Sequence, residues 1–310
     1  VVVVKKIKSR ALQVGAKIGI VAPASPVDTL EQVNQAVSIL NEQGFPVVCG
    51  ASAAPDTGDF AGTDMMRQTD LEQFWQDQSI QAIWCLRGGY GSLRLLPHLW
   101  YRLIARNPKI FIGFSDITAL ELGIWSQVSL VTFHGPVLTS LKSEFTIKQA
   151  LKMVSGGWES VGLDWPADGL EKYIPIHSGK AQGIVLGGNL TTFNSLIGTR
   201  FFPNLDGIIL FLEDIGEQAY RIDRMLSQLM ISGIMDSVSA VLIGQCIPAS
   251  NQTEADLVKV FTERLSALSC PVAYGFPFGH VQEQWTVPQG VLAEVDTATG
   301  CFTLLESPVV

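Results

Sequence analysis

A serine placed between an apolar strand signal and a helix signal can act as a nucleophile, and residues 109–126 contain one. The run KIFIG (109–113) reads as a strand, Phe114, Ser115 and Asp116 follow, and an apolar helix pattern starts at once. A hydroxyl on such a turn stands at the carboxyl edge of a sheet. The helix dipole and free N–H groups behind it can stabilise an oxyanion. The turn lacks the second glycine of G-x-S-x-G, and serines also cap helices, so both roles stay open. Glu213 closes the run GIILFLE (207–213), with Asp214 and Glu217 just beyond it. A carboxylate there can orient a histidine or ligate a cation, and a solvated acidic loop is the plainer alternative. His280 ends Gly275-Phe276-Pro277-Phe278-Gly279-His280 after a later apolar run; it can serve as a general base or simply pack in its loop. Arg87-Gly88-Gly89-Tyr90-Gly91 follows IQAIWCL (80–86). Its glycines let backbone N–H groups approach a phosphate or an oxyanion, or only make a tight turn. Neither G-x-G-x-x-G nor a Walker lysine is present. Taken together, Ser115, Glu213 and His280 each follow a strand, in the order serine, acid, base. A triad assembled across a cleft between two units accounts for all three. Glu217, past Gly216 on a freer loop, is the competing acid.

The elements that must position these residues alternate. Lys17–Val21 reads as a strand and 29–43 as a helix. Thr29 and Gln32 form a capping box, Leu30, Val33, Val37 and Leu40 line one face, and Gly44 stops the helix. Strands follow at 46–49, 80–86 and 109–113, with helices over 64–77 and 116–126. Continuous apolar strands alternating with helices predict a parallel sheet covered on both faces. Between 158 and 182 the pattern weakens and Gly, Pro, Asp and Ser cluster, which marks a connection. Strands resume at 207–213, 239–244 and 271–274 around helices over 219–232 and 254–268. The segments 291–295 and 301–305, joined at Thr299-Gly300, read as an antiparallel hairpin. The expected fold class is therefore α/β in two domains. A parallel-sheet, flavodoxin-like domain over 1–157 carries the serine, and 158–182 links it to an α/β domain over 183–310. The second domain carries the acid and the base and ends in the hairpin.

Bulk composition narrows the partners. The 310 residues suffice for one large or two moderate domains. Lys and Arg total 21 against 29 Asp and Glu, are scattered, and leave a net charge of −8; nucleic acid and other acidic polymers are poor partners for such a surface. The valines at 1–4 lead into Lys5, Lys6 and Lys8 rather than an apolar stretch, so they are read as neither a signal peptide nor a membrane span. Cys49, Cys85, Cys246, Cys270 and Cys301 are odd in number and form no C-x-x-C. Cys85 and Cys246 sit in or beside apolar runs and read as inert buried thiols, which fits a reducing compartment. His98, His134, His177 and His280 show no metal-ligand spacing, so no metal site is expected.

The chain resembles the LD-carboxypeptidases in the order and content of its motifs. These are KIGIVAPASPVD (17–28), FAGTD (60–64), IWCLRGGYG (83–91), FIGFSDITAL (111–120), TFHGPV (132–137), GGNL (187–190), ILFLEDIGE (209–217), RIDRML (221–226) and GFPFGH (275–280). The resemblance implies a Ser-Glu-His peptidase without metal or organic cofactor. Such an enzyme works in the cytoplasm in murein recycling and removes the terminal D-Ala from the L-centre of the diamino acid in a murein tetrapeptide. It implies Ser115 as nucleophile, Glu213 as acid and His280 as base. The oxyanion donors would be the backbone N–H of Asp116 and one from Gly88 or Gly89. No nucleic-acid or membrane partner is implied, and a homodimer is left open. A microcin-immunity peptidase that cleaves peptidyl-nucleotides would share triad and fold but need an aromatic platform, for which Trp84, Trp100, Trp158 and Trp285 are candidates. A catalytically silent murein-peptide binding protein is the rival from another class. The absence of any S-x-x-K argues against a penicillin-binding type of DD-peptidase.

Overall fold

Short apolar runs rich in Ile, Val and Phe become the central strands and lose all contact with solvent. The computed structural model describes residues 5–310; the valine run at 1–4 lies outside the described residues. The first sheet has the order Val287–Gln289, Thr132–His134, Ile110–Gly113, Ile80–Cys85, Lys17–Val21, Val47–Cys49. Every pair in it is parallel except the first, which is antiparallel. Leu30–Glu42 opens with the capping box between Thr29 and Gln32, and Asp64–Gln76, Tyr101–Arg106, Thr118–Val128 and Glu144–Ser155 are the other α-helices of this half.

The second sheet has eight strands, with Lys180–Asn189, Ile208–Glu213, Ala240–Gly244 and Val272–Phe276 parallel at its centre. Helices Ala219–Ile231 and Glu254–Leu265 lie between these strands in sequence. Leu292–Asp296 and Cys301–Leu304 form the antiparallel hairpin and extend one side of the sheet. The architecture is the α/β arrangement of two units with mainly parallel sheets that the alternation predicts.

The structure differs from the sequence reading at the margins. Within 158–182, Val161–Gly162 and Ile174–His177 add antiparallel strands at the two edges of the second sheet. These edge strands are largely exposed, so they lack the continuous apolar run by which buried strands are recognised. Val287–Gln289 belongs to the second half of the sequence but pairs in the first sheet. It holds only three residues and contains Pro288, which suits an edge position. The helix behind Ser115 begins as a 3₁₀ turn over Ser115–Ile117 and continues as Thr118–Val128. Cys85 and Cys246 are buried, and burial pushes both thiols up. Among the described residues no helix is long and apolar enough to cross a membrane.

Candidate active site

The strand Ile110–Gly113 ends one residue before Phe114-Ser115, and Ser115 takes a left-handed φ of 64°. A residue with a Cβ pays about 1–3 kcal/mol for that conformation, so the surroundings must hold it. Gly135 N–H donates to Gly113 O at 2.9 Å, and Ser92 N–H donates to the Asp116 carboxylate at 2.7 Å. Asp116 is buried, which raises its carboxyl, while the Ser92 bonds oppose the shift. Ser115 is not a cap: neither the 3₁₀ turn nor the following helix has a side-chain cap. Its Oγ lies 3.2 Å from His280 Nε2 instead.

Glu213 is the last residue of its strand and is fully buried. Its Oε2 lies 2.7 Å from His280 Nδ1. Gly279 makes this approach possible, since it has φ 91° and a Cβ there would strike the Glu213 carboxylate. Burial drives the Glu213 carboxyl up, but the charge and hydrogen bond of His280 outweigh it and hold the group below its ordinary value. For His280, burial works downward and Glu213 more than offsets it, so the imidazole stands above its usual value. With Nδ1–H donated to the buried carboxylate, Nε2 is free to accept the hydroxyl hydrogen of Ser115. Phe114 backs the imidazole with ring centroids 4.7 Å apart.

The glycine turn runs against the serine. A Cβ on Gly88 would lie 2.9 Å from Ser115 Cβ, and Gly89 has φ 104° and packs on Ser25. Ser25 Oγ accepts from Tyr90 N–H at 3.0 Å. Arg67, which the sequence reading did not single out, anchors this turn. Its fully buried guanidinium donates to Pro23 O at 2.7 Å and Gly91 O at 3.0 Å, and pairs with Asp64. Asp64 also holds Arg94 at 2.8 Å, so the acid of FAGTD secures the far side of the site. The one available signal was the Asp64–Arg67 spacing of three on a helix.

Asn189 was also missed as a residue, although its motif was noted. It caps Leu190–Leu196, donates its backbone N–H to Thr118 Oγ1 at 3.0 Å, and donates its side-chain amide to Asp214 at 3.0 Å. Burial, then the neighbouring Glu213 charge, pushes the Asp214 carboxyl up to about 6. Glu217 binds Arg221 at 2.6 Å and Thr191 at 3.2 Å; its carboxylate serves the rim, not the imidazole. Two cavities flank the Ser115–His280 contact. One of about 250 Å³ is lined by Gly89, Ser115, Asp116, Asn189, Asp214 and Glu217 among others. The other, of about 580 Å³, includes His280, Lys172, Gln245 and Glu254 in its lining. Among the described residues no group of His, Cys, Asp and Glu is arranged to hold a metal ion.

A hydroxyl facing an imidazole that is backed by a buried carboxylate is the constellation of a serine hydrolase. Comparison with known proteins gives the particular family. The LD-carboxypeptidase N-terminal domain matches residues 18–135 and the LD-carboxypeptidase C-terminal domain matches 182–295. The probable murein peptide carboxypeptidase of Bacillus subtilis is 33% identical over 94% of this chain and 92% of its own. A structure of the microcin C7 self-immunity protein MccF with adenosine monophosphate superposes with a TM-score of 0.89, at 27% identity over 98% of this chain and 100% of that one. Muramoyltetrapeptide carboxypeptidase from Oxalobacter formigenes gives a TM-score of 0.80, at 28% identity over 93% of this chain and 97% of that one. The chain belongs to the LD-carboxypeptidase family and is a serine-type peptidase.

Proposed function

We propose that the protein removes the terminal D-Ala from a murein tetrapeptide at an L–D bond, in the cytoplasmic recycling of cell wall. Ser115 is the nucleophile, His280 the general base and Glu213 the acid that orients it. The observation that carries this assignment is the hydrogen-bonded line from Ser115 Oγ to His280 Nε2, 3.2 Å, and from His280 Nδ1 to Glu213, 2.7 Å. The nucleophile belongs to the unit of the first sheet, and the acid and base to that of the second sheet, which takes in its edge strands from Val161 onward. His280 takes the Ser115 proton as Oγ attacks the scissile carbonyl, and Glu213 stabilises the imidazolium that forms. The backbone N–H of Asp116 and one from Gly88 or Gly89 hold the tetrahedral oxyanion. His280 then protonates the departing D-Ala amine, and water activated by the same imidazole releases the acyl group.

A second reading, cleavage of a peptidyl-nucleotide, is favoured by the high TM-score with the microcin immunity protein. The aromatic platform it needs has weak support. Trp84 and Trp285 are buried, and no tryptophan lines either cavity beside the Ser115–His280 contact. Mass spectrometry of purified protein incubated separately with murein tetrapeptide and with a peptidyl-nucleotide distinguishes the two. Tripeptide plus D-Ala from the wild type, and neither from Ser115→Ala, is the expected result. Cleavage of the nucleotide substrate alone would overturn the assignment.

A further inference from the structure

The motif TFHGPV (132–137) takes no part in the chemistry above, yet its histidine is fully buried at the meeting of the two sheets. His134 ends the strand Thr132–His134 and stands in register with Gly113, two residues before Ser115. Its Nδ1 lies 3.4 Å from Glu121 of the helix behind the nucleophile, and both side chains are inaccessible to solvent. Gln289, also fully buried, donates to Glu121 at 2.7 Å and accepts from Gly187 N–H of the second sheet at 3.1 Å. Gln289 lies on the strand that follows the His280 loop and pairs with Thr132–His134. Glu121, Gln289 and Gly187 thus join three distant segments by directional bonds in a dry interior, where such bonds are strong. The His134 ring nitrogens make no hydrogen bond of their own and stand against this set, where an unmatched polar group is costly.

The His134 ring also touches the neighbours of the reacting groups. It packs edge-on against Phe114, at 6.0 Å between centroids, and against Phe211, at 5.1 Å. Phe114 precedes Ser115 and lies on the His280 ring. Phe211 is two residues before Glu213 and packs on Phe278, two residues before His280. Apolar contacts between sheets tolerate small slips, whereas a buried hydrogen-bonded set tolerates few, and a buried polar group is best attested in setting register.

We propose that Glu121, His134 and Gln289 form a buried polar key that sets the registry of the two sheets, and that through Phe114 and Phe211 they act as positioning residues for the Ser115–His280–Glu213 line. This inference rests on the triad proposed above. A catalytic set must be held to within about half an ångström, and a misplacement of about 1 Å costs roughly a hundredfold in rate. His134→Phe keeps a ring but takes the imidazole away from Glu121, leaving that buried carboxyl only its bond from Gln289. The key is disturbed without loss of volume by Gln289→Glu, which sets two carboxylates against each other. The exchange Glu121→Gln with Gln289→Glu restores an amide–carboxylate pair and keeps an acceptor for Gly187.

The test is the rate of labelling by a fluorophosphonate, a reagent for activated serines, measured on each full-length variant after its folded fraction is fixed by circular dichroism and melting. Labelling is expected to slow about tenfold or more in His134→Phe and Gln289→Glu. The loss should fall on the maximal rate and not on the half-saturating reagent concentration. The exchange variant should return to within about threefold of wild type, because the directional pair is re-formed. Should His134→Phe fail to fold, the single and exchange variants at Gln289 decide alone. Wild-type rates in folded His134→Phe or Gln289→Glu would overturn the positioning role, as would an exchange variant that folds but stays as slow as the single. Ser115→Ala separates the two levels of inference. Labelling that survives in it overturns the triad and this inference together. Labelling lost in it, with unchanged rates in the other variants, overturns this inference alone.

Discussion

Replacing Glu213 by Gln changes one buried atom type and should disable the site while sparing the fold. The carboxylate gives Oε2 to His280 Nδ1 at 2.7 Å, while Oε1 is buried without a hydrogen-bond partner. An amide placed there has two choices. With its oxygen toward Nδ1–H it keeps the tautomer but loses the charge that stabilises the imidazolium. With its NH₂ toward Nδ1 it forces the proton onto Nε2, which then cannot accept from Ser115. The corresponding acid-to-amide change in a serine triad costs roughly ten-thousandfold in turnover, which is about 5 kcal/mol in the barrier. Folding should change little, because the lost charge-assisted bond to His280 is offset by the lower cost of burying a neutral amide. The expected result is therefore a fall of roughly four orders in kcat, with KM and the melting temperature nearly unchanged. The pH profile supplies a second readout. A general base must be neutral, so wild-type activity falls as pH drops through the raised His280 value. Without the Glu213 charge that raises it, this acid limb should move to lower pH. Glu217→Gln, which alters contacts to Arg221 and Thr191 at the rim of the cavity beside Ser115, should cost less than about tenfold, as a group off the reacting line. Retention of more than a tenth of turnover in Glu213→Gln, or a larger loss in Glu217→Gln, would refute the assignment of the acid.

Ser115→Ala should abolish turnover yet melt within about 1 kcal/mol of wild type, since one part-exposed hydrogen bond is lost and no cap; calorimetry and D-Ala release check the two halves. Ser115→Gly should be equally inactive but melt at or above the alanine variant. Glycine adopts φ 64° freely, where a Cβ costs about 1–2 kcal/mol. Gly279→Ala drives a methyl group toward the Glu213 carboxylate at φ 91° and should lose roughly a hundredfold in kcat. Wild-type kcat in that variant would contradict the close packing of Gly279 on the acid.

Buried elements were legible because one physical signal dominates them. Ile110–Gly113 and Ile208–Glu213 are enclosed on both faces and therefore apolar throughout. Exposed edges carry no such signal, which is why Ile174–His177 passed for a connection. Val287–Gln289 was invisible for another reason: its place in the first sheet is decided by contacts with a strand far away in sequence. The site shows the same division. Each of Ser115, Glu213 and His280 could be placed at the end of a strand, but spacing cannot say that strand ends from two sheets converge. That expectation rested on the preference of ligand sites for clefts between units, and the family resemblance added the role of each residue. Arg67 was hidden because its acceptors, Pro23 O and Gly91 O, are brought to it only by the fold. The role of Asn189 was hidden likewise, since its contacts with Thr118 and Asp214 join separate segments.

The stereochemistry of cleavage tests the central claim most directly. A tetrapeptide ending in a single D-Ala presents an L-centre at the carbonyl that Ser115 attacks, whereas a pentapeptide ending in D-Ala-D-Ala presents a D-centre. Inversion there exchanges side chain and hydrogen and displaces the carbonyl from the donors proposed at Asp116 and the glycine turn, and about 1 Å of displacement is worth roughly a hundredfold. D-Ala released per enzyme should therefore be readily measured with the tetrapeptide and at least about a hundredfold slower with the pentapeptide. Equal rates on the two peptides would contradict the LD assignment even with Ser115 as the nucleophile.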